Sequence, residues 1–163
     1  QKFELGETGI RFGGSDSEGS VTFATPFKSN TIYLNVDLKN NESEEILYLT
    51  DGTKYINITK TSTNINLTWL TDAVYSISIP YSLGENEIVA FYDVDGYWNL
   101  YVNGDGDKLE DTQTQTSIDE VTISRLTGFE GVLYQLILDD SLITIDDISV
   151  VETTVSPALI NFI

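Results

Sequence analysis

Residues 95–104 read Asp95-Gly96-Tyr97-Trp98-Asn99-Leu100-Tyr101-Val102-Asn103-Gly104. In an extended chain Trp98, Leu100 and Val102 fall on one face, and Tyr97, Asn99 and Tyr101 on the other. A period of two with one apolar side marks a strand that buries one face, which makes Trp98 a core residue. Asn103-Gly104 then supplies the positive φ values that a tight hairpin turn requires.

The same period recurs on either side. Ile32, Leu34, Val36 and Leu38 alternate with Tyr33, Asn35, Asp37 and Lys39, and the segments 54–59, 74–79, 88–94, 97–102 and 131–138 read as further strands. Turn residues separate them at Asp51-Gly52, at Leu83-Gly84-Glu85-Asn86 and at Asp95-Gly96. Gly128 and Gly131 bracket Phe129 ahead of the nearly continuous apolar run 132–138, which predicts a strand central to a sheet. Asn40–Glu45 and Asp111–Ser117 read as loops, and only Ser141–Ile148 offers a helical turn. The 163 residues amount to about one domain. Many short strands at this spacing predict an all-β fold, an antiparallel β-sandwich of jelly-roll type. Its core is expected to hold Leu34, Val36, Leu100, Val102, Leu133 and Leu136.

Composition removes whole classes of function. With neither His nor Cys, the chain has no Ser-His-Asp or Cys-His catalysis, no thiolate or imidazole metal ligand and no disulfide. A net charge of -18 repels phosphate, so no nucleic acid is expected as a partner. No apolar run approaches the length of a membrane span, and no membrane insertion is expected. Methionine is absent and Gln1 is large, which points to an N-terminus made by signal-peptide or propeptide cleavage, or to an excised fragment. The expected location is extracellular or surface-exposed. Sequons at Asn41, Asn57 and Asn66 permit glycosylation without arguing for it.

Glu87 to Ile148 resembles the laminin-G-like branch of the concanavalin A-like lectin/glucanase superfamily. The carrying residues are Asp95 to Gly104, then Val121-Thr122-Ile123-Ser124-Arg125-Leu126, then Gly128-Phe129-Glu130-Gly131 leading into Val132–Leu138 and on to Leu142. Ile10 to Asp16 is similar to the opening of that family, and Asn30–Leu38 to its next long strand. The resemblance implies a domain over 1–150, followed by an apolar extension over 151–163. Some relatives in this superfamily are glucanases that carry acidic residues at E-x-D-x-x-E spacing. That spacing is missing here, so no enzymatic activity is expected.

Three chemistries remain. Asp93, Asp95, Asn103, Asp105 and Asp107 are hard oxygen donors around one hairpin, and calcium is the cofactor such residues suit. The same residues equally make an ordinary solvated turn, since Lys108 and Thr114 stand where an EF-hand loop needs Gly and Glu. Laminin-G-like domains often bind calcium at a rim, which the resemblance adds without assigning residues. Tyr97, Asn99 and Tyr101 share a face on which glycans could stack, although cross-strand packing explains them as well. Leu159, Ile160, Phe162 and Ile163 make the tail apolar, either to close its own sandwich or to pair with a neighbouring subunit. The sequence thus supports a non-enzymatic structural subunit of an extracellular filament or virion surface, a homo-oligomer or homopolymer. The alternative is a calcium-dependent module for glycan binding or adhesion.

Overall fold

The computed structural model describes residues 2–6, 9–14, 18–110, 117–126 and 128–141. Thirteen strands make two antiparallel sheets among these residues, with no helix. The seven-stranded sheet runs β1 (Lys2–Leu5), β13 (Glu130–Asp139), β4 (Thr31–Leu38), β9 (Gly84–Tyr92), β10 (Trp98–Val102), β11 (Asp105–Lys108), and β2 (Ile10–Gly13) also pairs β13. The six-stranded sheet runs β3 (Gly19–Lys28), β12 (Ser117–Ile123), β5 (Glu44–Thr50), β6 (Tyr55–Lys60), β7 (Asn64–Leu70), β8 (Val74–Pro80). Among the described residues, six of the eleven strand pairings join strands that are not consecutive in the chain, as the jelly-roll expectation requires.

Alternation decides which side chains meet between the sheets. Leu34, Val36, Leu100, Val102, Leu133 and Leu136 are all buried in one core cluster, as expected. Trp98 is buried as well, and its ring lies 5.9 Å from that of Trp69 on the opposite sheet. Tyr92 meets Trp98 edge-on and Tyr75 stacks on Trp69, so aromatic rings join the sheets near β8 and β10. Phe3 against Phe23 does the same between β1 and β3. β13 is central, paired to β1 and β2 on one side and β4 on the other. Gly131 is required there, because a Cβ would lie 1.9 Å from the carbonyl oxygen of Asp37.

Four expectations change, the first at the predicted turn 83–86, where Gly84, Glu85 and Asn86 already pair with β4 as the start of β9. Glu44 and Glu45 are not loop residues but the buried start of β5. Each carboxylate is neutralised by a distant cation, Glu44 by Lys60 at 2.9 Å and Glu45 by Arg125 at 2.8 Å. The segment 64–70 forms a strand that was not anticipated, and Ser117 opens β12 rather than ending a loop. The expected helical turn Ser141–Ile148, beyond its first residue, the extension 151–163 and the assembly residues Leu159, Ile160, Phe162 and Ile163 lie outside the described residues.

Candidate functional site

Asp93 closes the turn between β9 and β10. Its Oδ1 accepts the backbone N–H groups of Asp95 (2.9 Å) and Tyr97 (3.0 Å). Its Oδ2 accepts the Asn99 side-chain amide at 2.9 Å, and that amide also donates to the Tyr97 carbonyl. A short carboxylate that satisfies turn amides is the common role of Asp in such loops. Asp93 and Asn99 are therefore both buried and fixed, forming the rigid end of a cleft.

That cleft, about 380 Å³, opens beside the edge strand β11. Phe91 and Tyr101 line its aromatic side; their rings are stacked at 6.0 Å and 11° between planes. Gly106 sits under Tyr101, where a Cβ would lie 2.2 Å from a ring carbon. The polar side is made by Asp93, Asn99, Asp95, Asp107 and Lys108. Burial pushes the Tyr101 phenol above its ordinary range; Lys108 opposes this and Asp107 adds to it, so the hydroxyl remains a neutral donor at physiological pH. The Lys108 ammonium lies 5.3 Å from the Tyr97 ring centre, a cation–π pair at the rim.

The expected donors separate into two groups. Asp93, Asp95 and Asp107 share the cleft. Asn103 and Asp105 sit at the hairpin end of β10 and β11, with Asp105 about 7 Å along β11 from Asp107. There Asn103 adopts φ 52° in the hairpin turn, accepts the N–H of Glu87 and donates to Asn86. Among the described residues, no group of three or more acidic side chains converges as a metal site would require. Of the expected sugar-facing residues, Tyr101 faces the cleft and Asn99 is bound within it, while Tyr97 lies beside it under Lys108. Phe91 and Lys108 were missed. Their positions depend on strand pairing, Phe91↔Asn99 and Asn99↔Lys108, which no single segment reveals.

A second hollow of similar size is lined by Arg11, Lys39 and Glu130 around Phe12 and Gly131. Lys39 is already held by Asp37 at 2.7 Å, and its ammonium is stabilised in the charged form by that hydrogen bond. Of these two hollows, the first combines an aromatic face with several fixed polar groups. No helix among the described residues is long and apolar enough to cross a membrane.

No protein-family model matches the sequence, and no curated protein matches it. Solved structures do. A structure of botulinum neurotoxin type C, whose cell entry is described as dependent on interaction with two ganglioside molecules, matches with TM-score 0.66 at 13 % identity over 94 % of this chain. Domains LG4-5 of the mouse laminin α1 chain match with TM-score 0.60 at 10 % identity over 80 % of it. The native heptameric SAP-like pentraxin from Limulus polyphemus matches with TM-score 0.59 at 18 % identity over 92 % of it. The chain spans 46 % of the toxin structure, 41 % of the laminin chain and 80 % of the pentraxin. At these identities the likeness concerns the fold, and the fold is the concanavalin A-like, laminin-G-like jelly-roll sandwich.

Proposed function

We propose that the chain is an extracellular glycan-binding module and that the cleft between β9, β10 and β11 is its binding site. The carrying observation is the half-exposed Tyr101 ring, backed by the buried ring of Phe91 and set against fixed Asp93 and Asn99 in one cleft. Sugars offer apolar C–H faces that pack on aromatic rings and hydroxyls that need rigid donors and acceptors, and a preorganised site loses little entropy in binding them. The ganglioside dependence stated for the toxin with this fold supports a glycan as the class of ligand and not the acidic sugar that a ganglioside carries. The filament-subunit reading rests on tail residues outside the described structure, and the lectin-like neighbours favour the glycan reading over it.

Charge narrows the choice. Asp93, Asp95, Asp107 and Glu110 line the cleft against Lys108 alone, on a chain of net charge -18. A carboxylated sugar would meet like charge, so neutral glycans are the expected ligands. The test is a glycan array followed by calorimetry, with Tyr101→Ala as the site variant and Tyr55→Ala on the other sheet as control. Binding to neutral glycans weakened at least tenfold by Tyr101→Ala alone would support the reading. No binding across neutral and acidic panels, or equal binding by both variants, would overturn it.

A further inference from the structure

The cleft between β9, β10 and β11 offers a ligand many acceptors and few donors. Both amide hydrogens of Asn99 are committed, one to Asp93 Oδ2 at 2.9 Å and one to the Tyr97 carbonyl at 3.1 Å. A carboxylate and a carbonyl only accept, so the orientation of the amide is fixed and Asn99 has its carbonyl oxygen, Oδ1, left for a ligand. Asp95, Asp107 and Glu110 add carboxylates to the lining, which also accept only. Two side-chain donors stand against them, the Tyr101 hydroxyl and the Lys108 ammonium. Lys108 is already shared between Glu110 at 3.9 Å and the face of the Tyr97 ring. The best partner for such a lining brings a group that donates.

One apolar group stands among these polar ones. Val94 is 64 % exposed, one of four large hydrophobic side chains open to solvent among the described residues, and it lines the cleft. Its turn is pinned. The Asp93 N–H donates to the Tyr97 carbonyl at 2.9 Å, the Gly96 N–H donates to the Asp93 carbonyl at 3.1 Å, and the Asp93 carboxylate holds the amides of Asp95 and Tyr97. Val94 therefore cannot retract from water without breaking the turn. A lone exposed valine is ordinary on a surface. One fixed in the lining of a cleft, beside an aromatic ring and several oriented polar groups, is a contact point for an apolar substituent. A sugar hydroxyl gains nothing from that side chain, whereas a methyl group does.

We infer that the cleft selects 2-acetamido-hexoses over the parent hexoses. The inference rests on the glycan reading of the cleft and narrows it. The amide N–H of an acetamido group is an obligate donor and matches Asn99 Oδ1, and its carbonyl takes the Tyr101 hydroxyl or the Lys108 ammonium. Its methyl packs on Val94, and the C–H face of the sugar ring packs on Tyr101. The group is neutral, so it meets the acceptor-rich lining without a charge that Asp93, Asp95, Asp107 and Glu110 would repel. A 6-deoxy sugar brings a methyl group without the amide donor, and a plain hexose brings donors without the methyl group.

The test is a chemical-shift titration by NMR of the full chain with methyl glycosides of N-acetylglucosamine, N-acetylgalactosamine, glucose, galactose and fucose. At least one acetamido sugar should bind roughly tenfold more tightly than its parent hexose and than fucose. Val94→Ser, at an exposed position, should reduce that ratio to about twofold or less. Leu83→Ser, at another exposed apolar position outside the cleft, should leave the ratio as in the parent protein. Saturation transferred from protein to sugar should be strongest at the acetyl methyl protons. Equal binding of acetamido sugars and hexoses, fucose binding as tightly as either acetamido sugar, or a ratio that survives Val94→Ser would overturn this inference and leave the glycan reading standing. Binding of no saccharide at all would overturn both.

Discussion

Lys60 offers the sharpest test of how this sandwich tolerates its acidic composition. Its side chain is fully buried on β6, and the ammonium donates to the Asn40 carbonyl (2.8 Å), the Asn40 side-chain oxygen (3.1 Å) and the Glu42 carbonyl (2.8 Å). The Glu44 carboxylate completes the cage at 2.9 Å, and the Tyr81 ring lies on a further side at 5.9 Å. One lysine thus orders the whole turn from Asn40 to Glu44. Lys60→Met keeps the apolar stem but strands a carboxylate of which 9 % is exposed, together with two carbonyls turned inward. Breaking a buried pair by removing one partner destabilises by about 3–5 kcal/mol. At about 2–4 °C per kcal/mol for a chain of this size, the melting temperature should fall by roughly 6–20 °C. Lys60→Met combined with Glu44→Leu removes both charges and should recover most of the loss, leaving about 1–2 kcal/mol for the unsatisfied carbonyls. Urea unfolding followed by the fluorescence of Trp69 and Trp98, with the slope checked for constancy, measures both variants. A single variant within about 1 kcal/mol of the parent, or a double variant no more stable than the single, would refute the cage.

Four further outcomes are expected. Trp98→Ala should lose about 3–5 kcal/mol, since its ring contacts both Trp69 and Tyr92, and the same denaturation curve reads it. Gly106→Ala should displace the Tyr101 ring and abolish cleft binding in calorimetry, with little loss of stability because β11 is an exposed edge strand. Asn103→Ala should cost about 1–2 kcal/mol through its left-handed backbone and leave cleft binding unchanged. Asp51 is subject to burial, which would raise its carboxyl, but amide and hydroxyl hydrogen bonds from Lys54 and Thr53 outweigh this and hold it below the usual range. A folded-state value below the unfolded one stabilises above the unfolded pKa and ceases to do so as pH falls through the folded one. The stability gap between parent and Asp51→Ala should therefore narrow below about pH 4.

Much of the sandwich is legible in single segments. β10 shows its buried face because Trp98, Leu100 and Val102 alternate with polar neighbours, and the Asn103-Gly104 turn follows at once. β5 conceals its start because Glu44 and Glu45 look like loop residues until their cations are known. Arg125, 80 residues away in sequence, clamps Glu45 with Nε and a terminal nitrogen, and its guanidinium lies 3.6 Å from the Tyr48 ring centre. β7 escaped because its outward residues Asn64, Asn66 and Thr68 belong to types that also make loops, and Asn is depleted in strands. Asp93 reads as a metal ligand in the sequence because acceptor oxygens suit amides and cations alike. Its hydrogen bonds are what reveal the turn it holds.

An apolar row on the outer face of the seven-stranded sheet, with Ile137, Tyr33, Val89 and Tyr101 in register, shows most clearly where segment reading stops. In β4 the outward residues are Tyr33, Asn35 and Asp37, one ring among polar groups, which reads as an ordinary solvent face. β13 adds Ile137 beside Gln135, where a register shift after Leu133 breaks the simple alternation. β9 contributes Val89 and Phe91 in a run whose other members are also apolar, so neither face of it stands out. Alternation states which residues of one strand share a side; it does not state which strands are adjacent or in what register. The row exists only because β13, β4, β9 and β10 lie side by side, although only β9 and β10 are consecutive in the chain. The same limit applies to the cleft, whose Phe91, Asn99 and Lys108 come from three strands brought level by pairing. Both outward-facing features are therefore products of register, whereas the inward core follows from composition and period alone.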